Sequence, residues 1–147
     1  MLGIALYRTG RYREALQELR AYRRMTGRRD QNHLIADCHR ALGAPDKALE
    51  PVREALEARI PEEARVEAAV VGASALADLG RFSEALGMLR AVGVHGAVKP
   101  FVLRLWYTTG DVLQRAGRGR EAAAEFRRIV RHDPGAYDAA ERLAQLG

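Results

Sequence analysis

The sequence predicts an all-α solenoid of four antiparallel helix hairpins with a C-terminal capping helix. Two observations support this prediction: a set of positions that recurs four times along the chain, and a composition typical of packed helices. Of the 147 residues, 48% are hydrophobic but only 6% are aromatic, and alanine recurs throughout. Such a composition favours closely packed helices over a sheet sandwich, whose core uses β-branched and aromatic side chains.

The repeat is anchored by four glycines that lie 33, 37 and 37 residues apart: Gly10, Gly43, Gly80 and Gly117. Four further positions recur relative to each anchor. An alanine stands five residues after it, and a large apolar residue stands nine residues after it. A glycine or alanine stands seven residues before it, and a small or β-branched apolar residue stands five residues before it. The columns after the anchor are Ala15, Ala48, Ala85 and Ala122 at five residues, and Leu19, Val52, Leu89 and Phe126 at nine. The columns before it are Gly3, Ala36, Ala73 and Gly110 at seven residues, and Ala5, Cys38, Ala75 and Val112 at five. Agreement at five columns predicts four copies of one building block.

The chemistry of these columns predicts a helix hairpin in each copy. Glycine adopts the left-handed conformation that ends a helix, so each anchor should close a first helix. The small residues before and after the anchor should let neighbouring helices approach closely and remain buried. A single hairpin cannot bury its own apolar face, so the copies should stack on one another.

Two segments resemble tetratricopeptide (TPR) repeats. One carries Gly3, Gly10, Tyr12, Ala15 and Leu19, and the other carries Trp106, Gly110, Gly117, Ala122, Phe126 and Pro134. The middle repeats depart from the family pattern, because His39 and Pro45 stand where the family prefers aromatic residues. The resemblance covers nearly the whole chain and implies a right-handed solenoid that binds other proteins, although the fold alone does not identify a partner.

A single array spanning residues 1–147 is predicted, with repeats at about 1–27, 28–60, 61–99 and 100–134 and a capping helix at 135–147. The first helices are expected at Met1–Thr9, Gln31–Leu42, Pro61–Leu79 and Pro100–Ala116, the second helices at Tyr12–Met25, Pro45–Arg59, Ser83–Val92 and Gly119–Arg131, and the last helix at Ala136–Leu146. Pro51 should kink its helix because it lacks a backbone donor. The two glycines of the segment Gly93–Pro100, together with its terminal proline, predict a loop.

The compositional features predict a cytoplasmic protein without a membrane span. The formal net charge is +5, and the single cysteine excludes an internal disulfide. Arginine supplies 22 of the 24 basic residues, a bias typical of GC-rich, bacterial genomes. Met1 falls about one turn inside the expected first helix, so we expect further residues or an earlier repeat to precede it in the natural protein.

No residue pattern indicates catalysis, a cofactor or a metal site. Asp37-Cys38-His39 contains a nucleophile beside a base, but adjacent helical residues point about 100° apart and cannot form a dyad. Cys38 also occupies one of the small, buried columns. The four histidines, His33, His39, His95 and His132, lack the spacing of metal ligands.

The TPR resemblance implies that the inward-facing residues of the first helices bind the partner. In chain order these are Ile4, Tyr7 and Arg8; His33, Asp37 and Arg40; Val70, Ser74 and Asp78; and Arg104, Tyr107, Asp111 and Arg115. A groove of mixed sign suits a protein or peptide segment that is mixed in charge or partly acidic. The set contains no lysine or asparagine, which argues against the clamp that some TPR domains use for acidic C-terminal tails.

Two alternatives remain open at this stage. Arginines cluster on the expected outer face at Arg20, Arg23, Arg24, Arg28 and Arg29, and again at Arg118, Arg120, Arg127, Arg128 and Arg131. They permit binding of nucleic acid or another polyanion, although neighbouring glutamates favour solvated, paired charges. The array is also compatible with a sensor or oligomerisation arm of a larger regulator.

Overall fold

The computed structural model describes all 147 residues and contains nine α-helices and no strand. The helices are α1 (Leu2–Arg8), α2 (Tyr12–Thr26), α3 (Asn32–Ala41), α4 (Leu49–Glu57), α5 (Glu62–Asp78), α6 (Phe82–Ala91), α7 (Pro100–Arg115), α8 (Gly119–His132) and α9 (Ala139–Leu146). A 3-10 helix at Pro45–Ala48 precedes α4. The predicted all-α fold is confirmed, and no helix has the length and apolarity needed to cross a membrane.

The helices form hairpins that stack in chain order. Helices α1 and α2, α3 and α4, α5 and α6, and α7 and α8 pack as pairs, and each of α3, α5, α7 and α9 also packs on the second helix of the preceding pair. The first helices lie side by side, with α3 against α1 and α5, and α5 against α7. This stacking leaves one face of the first helices as an inner wall and places the second helices outside.

The four anchor glycines close the first helices as predicted. Their φ angles are +79°, +79°, +76° and +79°. The N–H that follows each glycine donates to the carbonyl five residues earlier: Arg11 to Leu6 at 2.9 Å, and Ala44 to His39, Arg81 to Leu76 and Arg118 to Leu113 at 2.8 Å. This six-to-one bond defines a Schellman motif, which requires a left-handed residue at the glycine position.

Close helix approach at the small columns is also confirmed. A Cβ built on Gly110 would lie 2.9 Å from two ring carbons of Phe126, and one on Gly3 would lie 3.0 Å from Cγ of Leu19. One expectation was wrong: Ala5 is exposed, whereas Cys38 and its equivalents in repeats three and four are fully buried. The difference arises because α1, unlike α3, α5 and α7, has no second helix of a preceding hairpin packed against it.

Three local features differ from or refine the predicted map. Pro51 does not kink a continuous helix; the segment begins as a 3-10 helix, and α4 starts at Leu49, so Pro51 lies in its first turn. A missing N–H is tolerated there because first-turn donors have no intrahelical acceptor. The last helix begins at Ala139 rather than Ala136, after Tyr137 at a φ of +52°. The loop before Pro100 and the long first helix of repeat three, α5, are confirmed.

Candidate interaction surface on the concave wall

The predicted wall residues lie on the first helices, but they are not equally accessible. Val70 is only 3% exposed, so its assignment to the open wall was wrong; it belongs to the core between α5 and its neighbours. Ser74 is half-buried, and its hydroxyl donates to the Val70 carbonyl of the same helix at 2.9 Å. The middle of the wall therefore offers little free polar chemistry.

Five predicted residues form a ladder of contacts across the four repeats. The hydroxyl of Tyr7 donates to the Asp37 carboxylate, which also pairs with Arg40 at 3.5 Å. Nε of Arg40 in turn donates to Asp78 at 2.6 Å, and Nη2 of Arg115 donates to the same carboxylate at 3.1 Å. These side chains come from α1, α3, α5 and α7, so the ladder, here called the inner ladder, ties successive hairpins together.

The inner ladder continues onto the last helix, which sequence reasoning treated only as a cap. Asp111 pairs with Arg115 at 3.8 Å and accepts from Arg142 at 3.0 Å. Arg142 also donates to the Tyr107 hydroxyl at 3.0 Å, and that hydroxyl donates to Asp138 at 2.6 Å. Nothing in the repeat pattern pointed to Arg142 or Asp138, because their side chains reach the wall only after α9 docks on α8.

The pKa shifts along the inner ladder follow from these contacts. Burial by itself would raise the pKa of Asp78, but hydrogen bonds and charges from Arg40 and Arg115 lower it below its usual value. Burial, together with the hydrogen bond to Asp37, raises the pKa of Tyr7. Asp78 therefore stays ionised and Tyr7 neutral at physiological pH, the states that the observed donors and acceptors require.

The open part of the wall lies at its N-terminal end. There a cavity of about 340 Å³ is formed between α1, α3 and the start of α5. Its lining includes the predicted residues Ile4, Tyr7, Arg8 and His33, together with Leu34, Glu63, Ala64 and Glu67. Four of the predicted side chains are therefore brought into one concave pocket, here called the N-terminal pocket.

The charges of the N-terminal pocket differ in how far they are satisfied. Glu67 pairs with Arg104 at 3.1 Å, so the predicted residue Arg104 is engaged by its neighbouring helix. Arg8 and Glu63 take part in no ion pair within 4.0 Å. Burial, followed by the charge of Arg104, lowers the pKa of His33 to about 4, so the imidazole is neutral at physiological pH. The pocket thus presents one free cation and one free anion.

About half of the clustered outer arginines form ion pairs with carboxylates. Five of the ten clustered arginines pair with carboxylates: Arg23 and Arg29 with Glu54, Arg28 with Asp30, Arg118 with Glu121, and Arg128 with Glu125. Arg128 also stacks 3.9 Å from the Trp106 ring centroid. Since paired arginines are less available to phosphates, the outer face is a weaker polyanion surface than its composition implies.

The Cys38–His39 pair is separated as the helix geometry predicts. Cys38 is fully buried, and burial together with the charge of Asp37 raises the pKa of its thiol to about 11. Cys38 packs in the core with Leu16 and Leu19, whereas Nε2 of His39 accepts from Arg20 at 3.2 Å. The two side chains therefore do not act together on one substrate atom.

The stacked hairpins and their free inner wall define the class of the protein as an α-solenoid of helical repeats. The chain belongs to the tetratricopeptide repeat family: one family model matches residues 1–64 and a second matches residues 103–146, both described as tetratricopeptide repeats. TPR repeats are generally protein–protein interaction scaffolds. No curated protein sequence matches the chain significantly.

Solved structures show the same fold at low sequence identity. A MamA double mutant, MamA RS-1 ArsTM, is 20% identical and superimposes with a TM-score of 0.72 over 99% of this chain and 79% of its own. A Podosopora anserina protein of nearly identical TPR-like repeats is 19% identical, with a TM-score of 0.71 over 99% of this chain and 82% of its own. At these identities the likeness establishes the architecture alone.

Proposed function

We propose that this protein is a non-catalytic scaffold that binds a segment of a partner protein on its concave wall, with the N-terminal pocket as the main contact. The observation that carries this proposal is the free Arg8 and Glu63 beside an apolar patch in that pocket. Most other wall charges already have intramolecular partners, so a ligand gains less from meeting them. Unpaired charges beside apolar surface are the groups that a partner can satisfy without breaking existing bonds.

The pocket defines the chemistry of the segment that would fit. An apolar side chain would lie over Ile4, Leu34 and Ala64, where it loses contact with water. A carboxylate would pair with Arg8, whose planar guanidinium can hold both oxygens, and a cation would pair with Glu63. This combination is a mixed-charge peptide with one apolar anchor.

The test is capture of partners from the native cell by immobilised protein, followed by titration of the identified segment. Arg8→Ala with Ile4→Ser should weaken the titrated affinity by about tenfold or more, since it removes a charge-assisted pair and an apolar contact. Arg127→Ala removes an unpaired arginine from the outer face and is the matched control. Tyr107 and Arg115 are unsuitable test positions because both hold the inner ladder together.

Two outcomes would contradict the proposal. Equal binding by the pocket variant and the wild type would remove the pocket from the interface. Capture that depends on nucleic acid, falls steeply with salt and is weakened by Arg127→Ala would instead support polyanion binding on the outer face.

A further inference from the structure

A second cavity, larger than the N-terminal pocket, lies on the opposite side from the concave wall. It is a groove of about 690 Å³ between the second helices α4 and α6, with α5 as its floor. Its apolar lining consists of Leu49, Leu56, Leu76, Met88, Ala91 and Val92. This surface, here called the outer groove, is not part of the proposed peptide-binding wall.

The dimensions of the outer groove match a helix. Arg65 and Leu76 both line it from α5, and residues eleven apart on a helix are separated by about 16 Å along its axis. That length corresponds to about three helical turns. A groove between two helices that rest on a third accepts another helix by the usual interlocking of side-chain ridges and grooves.

The apolar lining is not a requirement of hairpin stacking, because the equivalent groove one repeat earlier is polar. That groove lies between α2 and α4 over α3, and its lining includes Arg20, Arg23, His39, Lys47, Glu50 and Glu54. At matching distances from the anchor glycines, Leu76 replaces His39 and Leu56 replaces Arg23, while Met88 takes the place of Pro51. The same structural position therefore carries a polar surface between repeats one and two and an apolar one between repeats two and three.

The charges around the outer groove indicate the polarity of its occupant. Arg53 pairs with both Glu50 and Glu57, the latter at 2.8 Å, and Arg81 pairs with Glu84 at 2.6 Å, so these rim charges already have partners. Arg65 also lines the groove and takes part in no ion pair within 4.0 Å. Arg65 is thus the one charged lining residue without a paired partner, and an unpaired guanidinium at the edge of an apolar surface favours a carboxylate on the partner.

We propose that the outer groove binds an amphipathic helix of a second protein. Its apolar face would cover Leu56 and Met88 over about three turns, and a carboxylate near one end would pair with Arg65. The protein would then hold two partners at once, one on the concave wall and one on the convex side.

The test uses a defined probe, a helical peptide of about 16 residues with leucines along one face and glutamates at one end. A matched peptide carries lysines in place of the glutamates. The chain has three methionines, so methyl-labelled methionine reports separately on Met88 in the groove and on Met25, which is 83% exposed and distant from it. We expect saturable shifts of the Met88 methyl alone and about two- to fivefold tighter binding of the acidic peptide.

Variants separate the apolar and the charged contributions. Leu56→Arg with Met88→Glu introduces the residue types that repeat one carries at the same distances from its anchor glycine, Arg23 and Glu18. Helicity measured by circular dichroism should therefore persist, while the affinity for the peptide falls at least tenfold. Arg65→Glu should reverse the preference between the two peptides, and Arg127→Ala, which removes an unpaired arginine from α8, should change neither the affinity nor the preference. No Met88 response at millimolar peptide, or unaltered binding by the double variant, would overturn the proposal. A Met88 shift that follows protein concentration without peptide would overturn it in favour of a second copy of the chain.

Discussion

Two glycine-to-alanine substitutions test whether close helix approach holds the repeats together. Gly110 lies in α7 and Gly87 in α6, and both have helical backbones, so alanine should remove the same intrinsic penalty of about 1 kcal/mol at each. Their surroundings differ. A Cβ at Gly87 meets nothing within 4 Å, whereas one at Gly110 would lie 2.9 Å from two ring carbons of Phe126.

The magnitudes follow from these distances. The ring of Phe126 cannot retreat easily, because it is fully buried and packs edge-on against Tyr107 with centroids 5.8 Å apart. Overpacking of this kind costs about 1–3 kcal/mol, so Gly110→Ala should destabilise the protein by up to about 2 kcal/mol after the helix gain. Gly87→Ala should stabilise it by about 0.5–1 kcal/mol. The two changes therefore have opposite signs.

Urea unfolding followed by circular dichroism measures both free energies of unfolding. A double-mutant cycle with Phe126→Leu provides the control, because repeat three combines alanine at the Gly110 column (Ala73) with leucine at the Phe126 column (Leu89). Gly110→Ala should cost less in the Phe126→Leu background than in the wild type. If Gly110→Ala stabilises the protein as much as Gly87→Ala, the close contact does not limit packing and the reasoning fails.

Two further predictions concern the inner ladder and the buried thiol. Asp78→Asn weakens the contacts with Arg40 and Arg115 and should lower the free energy of unfolding by about 1 kcal/mol near neutral pH. Because folding lowers the pKa of Asp78, this difference is fully present above about pH 4 and should shrink as the pH falls through the folded-state pKa. Urea midpoints measured at several pH values would show this change. A constant difference down to pH 2 would argue against an ionic role. The thiol of Cys38 is fully buried, and its pKa is raised to about 11. Ellman's reagent should therefore label it at pH 8 only as fast as the protein opens, and should label it completely in urea. Stoichiometric labelling of the native protein within minutes would contradict the structure.

Much of the fold was predictable because its determinants are local and repeated. A glycine at the end of each first helix, a small residue seven positions before it and a bulky residue nine positions after it specify a hairpin whatever lies elsewhere. The errors occurred where a position depends on its neighbours in space. Ala5 is exposed because no helix covers α1 on that side, and Val70 is buried because α5 lies between α3 and α7.

The candidate site was predictable as a set of positions but not as chemistry. The repeat register correctly placed Tyr7, Asp37 and Arg40 on first helices, yet it could not show that they contact one another rather than a partner. It also missed Glu63, which the structure places in the N-terminal pocket. Side chains of different repeats meet only after the hairpins stack at a particular angle, and that angle depends on many contacts together.

The sequence by itself determined that the chain is helical, that it repeats four times and where each hairpin turns, because backbone preference and side-chain volume act within one repeat. Only the tertiary structure decided which charges remain free. Stacking brings Arg40 and Arg115 from separate helices onto Asp78, while it leaves Arg8 and Arg65 without acidic partners. Electrostatic pairing falls off over a few ångströms, so it depends on three-dimensional distances that the order of residues does not contain.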